Sequence, residues 1–522
     1  MPASSDLAPA RVRRTAGGAQ RSPALGVLAA LVAALTLLPV VLVVVRGGVD
    51  GWGPALDYLL RPRVGELLAH TGWLLVLTVP ATIVIGVLAA WVVERTDLPL
   101  AGAWRTLMLA PLAVPAFVSS YAWISWQPQL VGLGGAVLVT TLAYFPFVFL
   151  PVASLLRALD GGDEEAARSL GLGPLQAAVR TVLPRLRPAV SGGALLVALH
   201  LLAEYGVLEM MRYQTFTTAI LQQYAVGFSD TAGSLLASVL VGLCLVVLAL
   251  EVAARGRRRV ARVGPGAGRR AAALPLGRWR VPALAFLGGI TALAVAVPVV
   301  MVLRWLLAGQ SQRGVDVSNL GPVTLSTLGL ALAGGLLAVV LALPGALLLA
   351  RRHGPLAVLL ERSTFLASAL PGVVVALALI GVAVDVAPVI YQTALLLVLA
   401  YAILFIPRAM VSLRAGLAAA PPELSEAARA LGARGASVLT RVVLPLAAPS
   451  VLGGFVLVAL AITTELTATL LLAPTGVETL ALAFWGAADE LDYTAAAPYA
   501  ATMIALSVPL TVVLRRQITK EG

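Results

Sequence analysis

About a dozen continuous apolar runs, each roughly 20 residues long, constrain this 522-residue chain more than any motif in it. In lipid no water is available to backbone N–H and C=O groups, so a spanning segment must be a helix or part of a closed barrel. The runs are unbroken, without the alternation of a barrel strand, and predict helices. They lie near 24–45, 71–93, 106–126, 134–156, 189–211, 231–253, 282–303, 325–350, 363–384, 388–411, 449–472 and 496–514. A soluble core does not use 60% hydrophobic residues with only 12% charged ones and a mean hydropathy of +0.95. The expected fold is an all-α polytopic membrane protein with 12 transmembrane helices.

The net charge of +12 reflects topology. Arginines cluster at the edges of the apolar runs, and no basic face is interleaved with stacking aromatics, which argues against nucleic-acid binding. Arg11, Arg13, Arg14 and Arg21 precede the first run and place the N-terminus in the cytoplasm. Counting spans then puts Glu94–Arg105, Arg157–Arg187, Arg255–Arg280, Arg351–Arg352, Arg414–Arg441 and the tail bearing Arg515 and Arg516 on that side; Arg61 and Arg63 are the main exceptions. No small-residue cleavage site follows the first run, so it reads as an uncleaved span and not a signal peptide.

Two residue counts exclude whole chemistries. Cys244 is the single cysteine, so no disulfide or cysteine-based metal site forms within the chain. Lys520 is the single lysine and sits in the tail; a phosphate-binding loop of the type GxxxxGK(S/T) needs a lysine to reach the β/γ-phosphates, so any ATP that drives this protein is hydrolysed on another polypeptide. No cluster of catalytic groups is found, and no catalytic or metal-ligating residue is assigned.

The two halves repeat. Thr71, Arg95 and Pro115 match Thr327, Arg351 and Pro371 at an offset of 256, and Pro146, Gly192-Gly193 and Glu204 match Pro407, Gly453-Gly454 and Glu465 at 261. Six spans per repeat give both halves the same orientation, a parallel duplication about an axis along the membrane normal. The expected organisation is a cytoplasmic tail (1–23), a first transmembrane domain (24–253), a flexible basic linker (254–281), a second transmembrane domain (282–514) and a cytoplasmic tail (515–522).

Within the repeat, "EEAARSLGLGPLQAAVRTVLPRLRP" (164–188) and "SEAARALGARGASVLTRVVLPLAAP" (425–449) agree at 11 of 25 positions. Each reads as a short helix stopped by glycine, Gly171 or Gly432, then a second short helix ending at Leu183-Pro184 or Leu444-Pro445, with Pro188 or Pro449 opening the next span. The first helix is too short and small-sided to stand alone, and its alanines make a narrow knob that suits a groove on a partner.

This pattern, with Glu165, Ala166, Ala167 and Gly171 in one copy and Glu426, Ala427, Ala428 and Gly432 in the other, resembles the EAA loop of the permease subunits of ABC importers. Segments 89–123, 205–220 and 464–485 look like the fused, twelve-span permeases of ferric-iron importers; thiamine permeases share the fused layout, and polyamine and sulfate permeases are more distant. The resemblance implies a bacterial inner-membrane protein that binds no cofactor of its own. It further implies two copies of an ATPase subunit, which use ATP and magnesium and receive the two loops, and an extracytoplasmic substrate-binding protein that delivers cargo.

Ionisable groups inside spans are costly unless they face a polar path or a partner. Glu204 and Glu465 occupy matched positions, with Tyr205 beside the first, His200 one helical turn before it and Glu209 after it. They either line a translocation path, where carboxylates would suit a hard cation, or hold helix packing by hydrogen bonds. A secondary transporter with helices broken at Pro39, Pro80, Pro111, Pro115 or Pro371 is the rival class, and leaves the paired loops without a purpose.

Overall fold

The computed structural model describes residues 23–159, 161–227, 230–255, 273–308, 317–351, 363, 370–418, 422–433 and 435–520. Every regular element among them is helical, with one isolated bridge between Thr96 and Leu274. Nine helices among the described residues are long and apolar enough to cross a membrane. A tenth crossing is counted if Ala101–Ala113 and Ala116–Trp126, bent by 88° at their junction, form one span.

That bend falls inside the run 106–126, where the sequence suggests a continuous span. Pro115 causes it: a residue before proline is pushed out of the helical region, and Val114 is extended at φ −103°, ψ 114°. Pro371, its counterpart, directly precedes the helix Gly372–Asp385. The runs 189–211 and 449–472 are also interrupted. Their helices stop at Ala203 and Thr463, and short helices Gly206–Met210 and Thr467–Leu472 come next. The matched carboxylates Glu204 and Glu465 stand at these two breaks.

Packing repeats as the sequence does. Helix Pro62–Arg95 packs on Pro146–Ala158, which packs on Arg187–Ala203; Val317–Arg351, Ala394–Ala418 and Leu444–Thr463 do the same in the second half. The first helix of each half reaches into the other. Pro23–Gly47 packs on Val317–Arg351 and Gly372–Asp385, while Val297–Ala308 packs on Ala116–Trp126. Arg46 fixes the first exchange, donating to the Gly381 carbonyl at 2.9 Å and pairing with Asp385. One apolar core therefore contains Val43, Leu67 and Leu202 together with Tyr401, Ile406 and Leu472. Another gathers Phe117 and Tyr121 around Phe484.

The linker is expected to be flexible. Residues 256–272 lie outside the described set, but the end of the linker is held. The Leu274 N–H donates to the Arg95 carbonyl (2.8 Å), the Asp97 N–H donates to the Leu274 carbonyl (3.1 Å), and the Leu276 N–H donates to Asp97 Oδ1 (2.8 Å). This straps the start of the second half to the end of helix Pro62–Arg95.

The repeated Gly-Gly pair shows why glycine is needed once per half. A Cβ on Gly193 would lie 2.8 Å from both the Phe147 carbonyl oxygen and Val148 Cα, and one on Gly454 would lie 2.5 Å from Ser412 Cβ. Gly192 and Gly453 have nothing within 4 Å. Gly193→Ala is therefore expected to force two backbones apart and cost about 1–3 kcal/mol, as overpacking does. Gly192→Ala is expected to be neutral, or to stabilise by up to about 1 kcal/mol through helix propensity. Thermal unfolding midpoints of the two detergent-solubilised variants measure the difference.

Candidate functional site

Both repeat loops fold as short helices closed in the same way. The first runs Gly162–Ser169 and the second Pro422–Ala430. Gly171 and Gly432 both take φ +89°, the left-handed conformation that glycine reaches without strain. The Leu172 N–H donates to Ala167 O (3.2 Å) and the Gly171 N–H to Arg168 O (3.0 Å). In the second copy Ala433 donates to Ala428 O (3.0 Å) and Gly432 to Arg429 O (2.9 Å). These paired bonds satisfy the last carbonyls of each helix and fix the turn. Glu165, Ala166 and Arg168 are exposed, as are Glu426, Ala427 and Arg429, while Ala167 and Ala428 turn inward. The turn carries Leu170 at 85% exposure and Leu431 at 89%, so each loop presents an apolar tip.

The second helices of the loops differ. Pro174–Val182 leads through a 3-10 turn, Leu183–Leu186, into helix Arg187–Ala203. In the second copy Gly435–Val438 passes through a π turn, Leu439–Val443, into Leu444–Thr463. Leu444-Pro445 thus opens the span and does not end the loop helix, and Pro449 lies inside the span; Pro445 fits because an N–H is dispensable in the first helical turn.

Charge fastens the first loop. Arg95, buried, pairs with Glu164, and Arg185 pairs with Asp163. Glu94, on the same helix end, pairs with Arg105 and lies 3.6 Å from Arg157. The corresponding positions of the second loop carry Ser425 for Glu164, Leu424 for Asp163 and Leu446 for Arg185.

The matched carboxylates sit at the helix breaks and cap the short helices beyond them. Glu204 Oε1 accepts from the Val207 N–H (3.0 Å), and Oε2 accepts from the Tyr144 hydroxyl. Glu465 accepts from Ala468 N–H (3.0 Å to Oε1) and Thr469 N–H (3.1 Å to Oε2), and from the Thr469 hydroxyl (3.0 Å). The Tyr401 hydroxyl lies 2.7 Å from that hydroxyl. A helix start leaves its first N–H groups without partners, and these side chains supply them. Space is tight around both breaks: a Cβ on Gly206 would lie 2.6 Å from Phe117 Cβ, and one on Gly372 would lie 2.9 Å from Glu465 Oε1.

The breaks also lie where the halves meet. Tyr205 contacts Trp485 across the interface at 5.3 Å between ring centroids, and Phe484 meets Phe117 at 5.4 Å and Tyr121 at 5.2 Å. His200 packs against Phe147, the rings tilted by 38° with centroids 4.4 Å apart; its Nδ1 donates to Leu196 O at 2.8 Å, leaving Nε2 as an acceptor 3.5 Å from Arg408 Nη2 in the second half. The structure thus brings His200, Glu204 and Tyr205 to the seam between the halves, with Glu465 at the matching break. Arg408, Tyr144 and Tyr401 belong to this region too. A charged residue within the apolar run 388–411 is the signal that points to Arg408. Among the described residues no group of three His, Cys, Asp or Glu side chains is arranged to hold a metal ion.

The family described as binding-protein-dependent transport system inner membrane component matches residues 82–260 and 338–519, one match in each half. The chain belongs to this family. The permease is a multi-pass inner-membrane protein of the ABC transport class, whose members are transport components and not enzymes. It is 33% identical over 473 residues to the Fe(3+)-transport system permease protein FbpB 2 of Haemophilus influenzae, covering 90% of this chain and 93% of that protein. It is 25% identical over 232 residues to the sulfate transport system permease protein CysW of Escherichia coli, covering 41% of this chain and 80% of that one. With the molybdenum transport system permease protein ModB of Azotobacter vinelandii it shares 29% identity over 151 residues, 26% of this chain and 67% of the other. The iron permease thus matches both halves, the sulfate permease a length close to one half, and the molybdenum permease about a quarter of the chain.

The buried ion pair makes the two loops of the permease unequal. Glu164→Gln leaves the Arg95 charge buried without its counter-ion, a loss of about 3–5 kcal/mol for such pairs. The expected result is faster amide exchange across residues 162–172 with exchange across 422–433 unchanged, read by hydrogen–deuterium exchange mass spectrometry.

Proposed function

We propose that this permease is the membrane subunit of an ATP-driven importer for ferric iron, with twelve spans and both termini in the cytoplasm. It receives cargo from an extracytoplasmic binding protein and engages two copies of an ATPase subunit through its two repeat loops. The observation that carries the coupling role is the pair of identically closed helices with exposed leucine tips. An apolar tip facing water has no stabilising role within the chain, and a groove on a partner would cover it. Two tips related by the internal repeat fit two copies of one partner. The chain's single lysine, in its tail, agrees with ATP hydrolysis on that partner.

Iron as cargo rests on the relative that covers 93% of its own length with this chain. Thiamine or another small solute is the alternative for a fused permease. Closure of the ATPase pair on ATP would move the loops, and the loops would move the spans they join, opening the seam at Glu204, Tyr205 and Glu465 to alternate sides. Binding that is transient at each point along this path suits release better than a tight site.

Glu426→Lys and Gly432→Asp are expected to abolish co-purification of the ATPase subunit while membrane insertion stays normal. Gly432→Asp acts through the turn, because an L side chain at φ +89° is strained by roughly 1–2 kcal/mol. Retained association in both variants sinks the coupling role. Radiolabelled iron against thiamine uptake, in vesicles containing the complete transporter, decides the cargo.

A further inference from the structure

Arg408 is exposed, yet it lies 14 residues from the start and 10 from the end of helix Ala394–Ala418. At 1.5 Å per residue that is about 21 Å and 15 Å from the two ends, deep within a spanning helix. A guanidinium at this depth faces a partner or a watered space. Among the described residues no carboxylate lies within ion-pair distance of it. Its neighbours are the Phe405 ring, 5.1 Å below the guanidinium, and His200 Nε2 of the other half at 3.5 Å.

The internal repeat shows which space this is. Position 408 corresponds to position 147, and Phe147 packs against the same His200 from the first half. Two positions related by a two-fold can touch one side chain only if both lie near the axis. Phe405 corresponds to Tyr144, which also contacts His200, at 5.7 Å. Tyr144, Phe147, His200, Phe405 and Arg408 therefore form one layer around the axis between the halves. Within it Arg408 is the charged group, with a ring at its back and His200 beside it. Glu204 and Glu465 are held at the breaks, where their oxygens accept from Val207, Ala468 and Thr469 N–H groups, and neither pairs with Arg408.

We infer that Arg408 and His200 form an oxyanion-recognising station on the translocation path, so that cargo passes as an oxyanion or as a metal ion carrying a coordinated oxyanion. The inference rests on the proposed transport role. A bare trivalent cation would meet like charge in this layer, whereas a planar guanidinium offers paired donors to phosphate- or sulfate-like oxygens. Arginine over an aromatic ring is also held in place, which favours transient recognition of a passing ligand over a collapse of the side chain.

The test uses the complete transporter, with its ATPase and binding protein, in proteoliposomes given labelled ferric iron together with labelled phosphate, and separately labelled sulfate. Arg408→Gln is expected to slow uptake by about tenfold or more, as loss of a desolvated charge contact does. Arg408→Lys should lose less, and Arg408→Glu should abolish uptake. Assembly and ATP hydrolysis stimulated by the binding protein should be unchanged in all three. His200→Glu leaves Arg408 in place but gives it a carboxylate partner, and is expected to impair uptake as Arg408→Gln does; it carries the test if the arginine variants fail to assemble. Iron and phosphate entering in fixed ratio identify a coordinated oxyanion, and phosphate or sulfate entering without iron identifies a free one. Wild-type rates in Arg408→Gln and His200→Glu, or faster iron entry in Arg408→Glu, overturn the inference alone. Wild-type vesicles that accumulate no label with ATP overturn the transport role and this inference with it.

Discussion

Inside a bilayer a helix can restart only where its first N–H groups find an acceptor, and in this permease two carboxylates provide one. Glu204 and Glu465 let two spans stop part-way and resume as short helices. Much of the interface depends on that. The short helices bring Gly206 against Phe117 and place Tyr205 against Trp485, so the seam between the halves is built from the broken ends of helices. A continuous helix through either position would remove those contacts. The polar atoms at the seam thus secure the backbone as well as lining the junction.

The second constraint is the exchange of first helices. Pro23–Gly47 lies against Gly372–Asp385, and Val297–Ala308 against Ala116–Trp126, so each half is embraced by a helix of the other. Movement of one half must carry the partner's helix with it or slide along it. The Arg46 contacts to Gly381 and Asp385 bind the first of these pairs at its end, while the tight packing of Gly193 and Gly454 keeps each half's own bundle rigid. Rigid bundles joined by exchanged helices suit rocking about the seam.

Much of this is legible in the sequence, because lipid as a solvent leaves long apolar runs few alternatives to helix. The repeat loops are readable for a local reason: Gly171 and Gly432 each stop a helix directly after Ala-Ala-Arg-x-Leu. The breaks at Glu204 and Glu465 are harder to place, since a glutamate among leucines reads equally as path lining or as a packing group, and only the N–H groups three and four residues on show it to be a cap. The bend at Val114 can be drawn from Pro115, but a proline inside a span is often tolerated. Comparison of the halves favours matched positions and so passes over Arg408, whose counterpart is Phe147. The ionic fastening of the first loop escapes for the same reason, because Glu164 is matched by Ser425.

The linker makes the two halves one covalent object, which the strap at Leu274 fastens further, and this changes what each can become. Two separate copies of one subunit would present every side chain twice, and an arginine at position 408 would then face another arginine from position 147. Two such charges near a common axis repel strongly where water is scarce. In the fused permease one position could keep a cation while its twin became an aromatic ring, and one loop could be bolted by Arg95 and Glu164 while the other stayed unbolted. Duplication within a single gene product keeps the paired loops alike in their closing turns, and it frees the seam between the halves from obeying that symmetry.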